Sequence, residues 1–384
     1  MLNSLRKTMI KYIRFAAGPT LTAFGAFFAL RGEHWMWVYF AMFAMIVILG
    51  DFALGDNSTN PKYPSTKILN FLLYINFPFL IIAVLASIWM VGDYPLPEWG
   101  SSSMVARENT TIYDLVGYVI VMGLLVASAG TNVGHELTHR KKNKFDMFLG
   151  NWFLAFTWDC AFAIEHVYGH HKYVATERDP ATARRGQNPY SFIFRSTTLS
   201  HRNAWIIENN RLKKQGYNSF SFRNKMLIGY GRSGLLTAGA FYLSGWAGLI
   251  MFLLIATGGK IMLEGVNYME HYGLIREEGA PIQPKHSWNT NKRISSILLY
   301  NLTRHSSHHE DASLEYWELK AYSRAPEMPL GYLSCVYLVL FVPWIYHRIM
   351  APKLKDWDKN LANNTERLLA QKQNEASGLA FLIS

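Results

Sequence analysis

Over the first 130 residues, apolar runs about 20 residues long alternate with short polar connections, and about 20 residues at 1.5 Å rise is what a helix needs to cross the hydrocarbon of a bilayer. The runs 9–30, 35–54, 69–90 and 112–130 carry few charges, and each predicts a transmembrane helix. The first is too long for a secretory signal and lacks the small-residue cleavage site of one, so it is expected to remain as a helix. A longer apolar stretch, 225–269, is interrupted at Ser244-Gly245 and predicts a fifth and a sixth helix. The run 330–349 is long enough to span, but Pro329 precedes it and Pro343 lies inside it, so it is expected to sit embedded without crossing. The expected fold is therefore an all-α polytopic membrane protein with six transmembrane helices. Residues 1–358 read as a single membrane-embedded domain and 359–384, rich in Asn, Gln, Glu and Lys, as a detachable polar tail.

Charge adds an orientation. Lys and Arg outnumber Asp and Glu by 38 to 27 in the 384 residues, and the early basic residues cluster at particular helix ends. Arg6, Lys7, Lys11 and Arg14 precede or open the first span, and Arg140, Lys141, Lys142 and Lys144 follow the fourth, so both ends are expected in the cytoplasm. The connection 92–111, with Asp93, Glu98, Arg107 and Glu108, is net negative and suits the far side. Cys160 and Cys335 are the only cysteines, which excludes a disulfide framework, a zinc ribbon and a four-cysteine iron site.

Histidine carries the chemistry. Of the thirteen, nine fall in four groups: His135 and His139; His166, His170 and His171; His271; and His305, His308 and His309. Spacings of three and four place side chains on one helical face. His135 is thus expected to point with His139, His166 with His170, and His305 with His308 and His309. A single buried histidine is commonly just hydrogen-bonded, but nine at ligand spacing exceed the four that one zinc ion takes and imply two metals. Imidazole-rich sites suit iron, copper or zinc, and iron is the choice because it activates dioxygen. Each group has an adjacent carboxylate, Glu136, Glu165, Glu270 or Glu310, and metal-bound imidazoles commonly donate their second N–H to such groups. His34, His201, His286 and His347 are solitary and stay outside the ligand set. Lys260 and Glu264, four apart on the sixth helix, read as a structural ion pair rather than a proton path.

The runs Asn132-Val133-Gly134-His135-Glu136-Leu137-Thr138-His139, Glu165-His166-Val167-Tyr168-Gly169-His170-His171, Asn267-Tyr268-Met269-Glu270-His271-Tyr272-Gly273 and Arg304-His305-Ser306-Ser307-His308-His309 resemble the signatures of the integral-membrane alkane 1-monooxygenases. Asp179-Pro180-Ala181 and His286-Ser287-Trp288-Asn289 extend the resemblance, which covers roughly residues 10–358. It implies a non-haem di-iron enzyme of the histidine-rich desaturase and hydroxylase superfamily, with two iron ions held by the nine histidines, hydroxylating the terminal methyl of alkanes to 1-alkanols. It also implies electrons from rubredoxin and its NADH-dependent reductase, and a bacterial inner membrane with the active site facing the cytoplasm. Xylene-type hydroxylases and fatty-acyl desaturases share similar boxes and remain the alternatives.

Independently of the resemblance, an unactivated C–H bond offers nothing to acid–base or nucleophilic catalysis, so an oxidising metal is needed. His135 to His139 also fits the HExxH zinc-protease pattern, but that reading leaves most of the clustered histidines without a role. A metal transporter would spread its ligands through the membrane depth instead of gathering them at one end. Asp51 ends the second helix and is expected to face the interior; helical steps of four then put Val47 and Phe43 on the same face, where a phenyl ring would limit the depth of a substrate pocket.

Overall fold

The computed structural model describes residues 11–383, and among these the only pairing outside helices is two isolated bridges. Arg6, Lys7 and Met9, used above for the first span and its orientation, lie outside the described residues. The long elements are α1 (Lys11–Arg31), α2 (Trp35–Leu54), α3 (Lys67–Trp89), α4 (Ile112–His139), α5 (Lys144–Ala155), α6 (Pro189–Lys214) and α7 (Lys225–His271). Five of them, α1 to α4 and α7, are long and apolar enough to cross a membrane. Helix starts follow local chemistry. Thr111 and Asp114 form a reciprocal cap on α4, while Asn143, Asn188 and Asn224 each accept backbone N–H groups at the starts of α5, α6 and α7. Phe27, Met45, Leu49 and Phe52 remain exposed on α1 and α2, a surface that suits lipid.

The break at Ser244-Gly245 is a reversal. Gly245 takes φ 56°, which costs glycine nothing, and a Cβ at Gly248 would collide with the carbonyl of Ala240. Residues from both arms meet one short segment: Ser233 Oγ donates to Ala155 O, while Lys260 reaches Asp159. In a straight helix those two positions would be about 40 Å apart at 1.5 Å per residue. The 47 residues of α7 therefore form a hairpin that returns His271 to the level of the first histidine group. Close approach elsewhere uses glycine, as where Gly123 of α4 packs on the backbone of Gly258.

Beyond α7 the chain folds over the histidine end in short pieces: α8 (Arg293–Leu298), α9 (His305–Glu310), α10 (Tyr332–Phe341), α11 (Pro343–Asn360) and α12 (Asn364–Ala376). The run 330–349 is split at Val342, ahead of Pro343, which leaves in α10 a ten-residue helix about 15 Å long, half a hydrocarbon core. The polar tail is held in place. Glu366 of α12 is buried, 2.5 Å from Lys285 Nζ and 3.0 Å from His286 Nε2. Burial opposes ionisation there, but hydrogen bonds from His286 and Lys285 prevail and hold its carboxyl down at about 2.

Asp51 is buried as the sequence reading expects, and its role is a cap supplied from another helix. Its Oδ1 accepts the backbone N–H groups of Ile294 and Ser295 at 2.8 and 3.0 Å, and Oδ2 accepts the Ser295 hydroxyl. Asp51→Ala strands these donors at the start of α8 and is expected to cost about 2 kcal/mol. Thermal unfolding in detergent checks this, with Asp51→Asn losing less because one acceptor remains.

Candidate metal centre

Two departures from α-helical geometry position the histidines. In α4 a π turn, Val126–Thr131, made of small residues, sets the direction in which His135 and His139 leave the helix. A second π turn, His166–His170, follows the short helix Phe162–Glu165. An i→i+5 repeat aligns residues five apart, which an α-helix does not. His166 accordingly points with His171, their Nε2 atoms 3.2 Å apart, and His170 turns elsewhere.

All nine clustered histidines converge through Nε2, and they form two groups. His135, His139, His166, His171 and His308 make one; His170, His271, His305 and His309 make the other. In the first, His135 Nε2 lies 2.8 Å from His166 Nε2, 3.0 Å from His308 Nε2 and 3.2 Å from His139 Nε2. In the second, His309 Nε2 is 3.0 Å from His305 Nε2 and 3.2 Å from His170 Nε2. The groups adjoin where the rings of His171 and His309 stand 4.5 Å apart. The expected pairing of His166 with His170 is thus corrected by the π turn. The expected trio on α9 is split as well, with His305 and His309 together and His308 turned to the other group.

The geometry fits metal ions. A neutral imidazole has one N–H, so His135 Nε2 can donate to at most one of its three close partners, and the other contacts set lone pair against lone pair. Two nitrogens about 2.1 Å from one metal and at right angles to it are about 3.0 Å apart, which is the observed spacing. Burial and mutual repulsion push His166, His171, His305 and His309 well below their ordinary range, and burial holds His308 down to about 3. These rings are neutral and their lone pairs available.

The carboxylate on a ligand's far nitrogen is one the sequence reading did not select. Asp179 Oδ2 lies 2.9 Å from His170 Nδ1, and Asp179 is itself fixed by the Thr182 hydroxyl and the Ala181 N–H. It fixes the tautomer that leaves Nε2 free for metal. The four glutamates behave differently from expectation. Glu136 binds Arg140 at 2.7 Å and the Tyr316 N–H. Glu165 Oε1 is buried without a partner, and burial followed by repulsion from Asp179 raises its carboxyl to about 8. Glu310 is exposed and accepts from the Tyr322 hydroxyl. Glu270 alone approaches a ligand nitrogen, 3.3 Å from His305 Nε2. Buried arginines hold the surrounding loops: Arg304 donates to carbonyls of Asn57, Thr59 and Leu319, and Arg276 to those of Val174 and Lys172. Asn289 Oδ1 accepts the Ser306 N–H and so fixes the start of α9.

A narrow, largely apolar cavity of about 50 Å³ runs from the histidines between α4 and the returning arm of α7. His135, His166, His305 and Glu270 line its metal end; Leu124, Met262, Leu263, Val266 and Leu333 line its length. At the metal end Thr131 Oγ1, Asn132 Nδ2 and Glu270 Oε1 are buried polar atoms without partners among the described residues. Phe43 lines a smaller neighbouring cavity that shares Ser128 with the first. Val47 is buried but lines neither.

The fatty acid desaturase family model matches residues 111–339, the span that carries all four histidine groups. Alkane 1-monooxygenase 2 of Pseudomonas aeruginosa is 31% identical, covering 84% of both chains, and alkane 1-monooxygenase of Ectopseudomonas oleovorans is 33% identical over 88% of this chain and 80% of its own. The chain belongs to the integral-membrane alkane 1-monooxygenase family. The xylene/toluene monooxygenase hydroxylase component of Pseudomonas putida, in the same histidine-rich superfamily, is 30% identical over 95% of both chains. The protein is accordingly an oxygenase and a multi-pass membrane protein with a histidine-rich metal site.

Asp179→Asn keeps the shape at His170 but removes the charge that orients it. The expected outcome is a metal affinity about 10- to 100-fold weaker, seen in metal retained against a chelator, with the helical circular dichroism unchanged.

Proposed function

We propose that this protein hydroxylates the terminal methyl of alkanes, using O₂ and electrons from a rubredoxin, at two irons held by His135, His139, His166, His171 and His308 and by His170, His271, His305 and His309. The observation that carries the reading is the apolar cavity that ends between the two histidine groups. Bound iron would supply the oxidising power that an inert C–H bond requires. The chain's residues supply the rest. The leucine- and methionine-lined walls take up an uncharged chain and exclude water, so the methyl that meets the histidines is selected by apolarity and shape. Thr131, Asn132 and Glu270, with Ser128, Asn267 and Tyr332, are the polar residues besides the ligands along that wall for a product hydroxyl to meet.

Electrons must come from outside, since Cys160 and Cys335 are both buried and free. A surface cleft lined by His139, Lys141, Lys142 and Leu314 opens beside the first histidine group and is the proposed entry. We place that face in the cytoplasm of a bacterial inner membrane, with six crossings counted by taking the α7 hairpin as two. A xylene-type hydroxylation is the second reading, favoured by the full-length similarity to the xylene/toluene relative.

Purified protein is expected to contain two irons per chain and to consume O₂ with octane when supplied with reduced rubredoxin. Metal analysis showing zinc in place of iron, or product only from xylene, would overturn the respective claims. Phe43→Ala is expected to move the chain-length preference toward longer alkanes, by one or two methylenes' worth of binding at about 0.8 kcal/mol each. Competition between alkanes of graded length checks this.

A further inference from the structure

Four ionisable side chains outside the metal site form one buried string. Lys260 Nζ, on the returning arm of α7, lies 2.7 Å from Asp159 Oδ2 and 2.7 Å from Glu264 Oε1. Asp159 Oδ1 has no hydrogen-bond partner among the described residues and faces His201 Nε2 at 3.7 Å; His201, on α6, is the partly exposed member. At the other end Glu264 Oε2 accepts from Asn267 Nδ2 at 3.2 Å, and Asn267 lines the cavity beside Glu270 and His305. Polar groups therefore run from a partly exposed imidazole to the metal end of an otherwise apolar cavity, hydrogen-bonded from Asp159 to Asn267 and with one longer step of 3.7 Å between His201 and Asp159.

A structural ion pair would be neutral. Here two carboxyl groups share one ammonium and an imidazole faces one of them, so the cluster is a chain of exchangeable proton sites and not a single pair. The next cation, Arg195, is committed to the carbonyls of Pro180 and Thr182. Tyr230, which contacts His201 Nδ1 at 3.0 Å, Cys160, Glu165 and the His170–Asp179 pair are the remaining titratable groups nearby.

We propose that His201, Asp159, Lys260 and Glu264 form the route by which protons reach the cavity, a role that rests on the oxygenase reading. Hydroxylation converts R–H, O₂, two electrons and two protons into R–OH and water. The C–H and O–O bonds break; C–O and the alcohol O–H form; the second oxygen leaves as water with both added protons. The electrons come from the protein carrier, and the protons must come from solvent. In the string, a proton taken up from solvent at His201 passes to Asp159, Lys260 gives its proton to Glu264 and takes one from Asp159, and Glu264, held by the Asn267 amide, gives its proton up into the cavity to the oxygen that leaves as water.

The test uses full-length, iron-loaded protein in lipid nanodiscs with reduced carrier. Glu264→Gln and Lys260→Met are expected to keep their iron and lower turnover about 10²-fold, the scale of a positioned proton donor. The solvent deuterium isotope effect should rise and more of the O₂ consumed should appear as peroxide. His201→Ala, at the exposed end, should lose less and regain turnover with added imidazole. Iron-loaded variants with unchanged turnover and isotope effect would overturn the route and leave proton entry to the cleft at His139. If the two buried variants fail to fold, His201→Ala decides alone, and a loss that imidazole does not restore rejects the proposal. Octane hydroxylation by the unaltered protein, measured in the same preparation, tests the substrate reading separately.

Discussion

Nine imidazole nitrogens crowded to hydrogen-bonding distance, with fewer protons than contacts, are the constraint on which the rest of this structure depends. Such an array has no reason to persist in a buried setting unless cations occupy its centres, and binding them is coupled to folding because an unfolded chain offers no such site. The protein's task is to bring four separate stretches of chain to one end of a helical bundle with their Nε2 atoms turned inward. Each irregularity at that end serves this convergence: two π turns, the α7 reversal, and the buried arginines that bind loop carbonyls.

The same packing explains why the site is dry on one side and charged on the other. Toward the lipid, α4 and the returning arm of α7 meet through Gly123 and Gly258, and this close approach leaves a narrow apolar space above the histidines. Toward solvent the shell is ionic, with Arg140 bound to Glu136 at 2.7 Å and to Asp146 at 3.3 Å directly beside His139. The cavity thus accepts what dissolves in lipid, and its solvent side accepts what dissolves in water.

Much of the fold was legible because membrane spans obey a single length rule. α2 has the expected bounds, and the Ser244-Gly245 interruption was readable because glycine can take the positive φ that a reversal requires. That nine histidines fall in four clusters was legible in the sequence, but their division into two groups in space was not. Helical spacing pairs His166 with His170, and nothing in the string His-Val-Tyr-Gly-His-His announces the π turn that pairs His166 with His171 instead. The second failure is one of adjacency. A carboxylate next to a histidine in sequence points away from it along a helix, whereas Asp179, nine residues on and across a turn, reaches the ring of His170. The tail was unreadable for the same reason, since Glu366 meets Lys285 and His286 from 80 residues away.

That distant tie bears on how tightly the centre is held. His286 joins the tail helix to the loop that carries Trp288 and Asn289; Trp288 N–H is bonded to Glu270 O, and Asn289 to the first residues of α9. Three histidines of the second group, His271, His305 and His309, are thereby positioned by elements that α12 helps to clamp. The first group is built mainly on α4 and the segment that follows α5, which packs on α6 and on the end of α4. Each half of the site thus joins the bundle to the cap folded over it: the first takes His308 from α9, and the second takes His170 from the segment after α5 and His271 from the end of α7. The cavity contacts His135 and His166 on one side and His305 on the other, so it registers any relative displacement of the two.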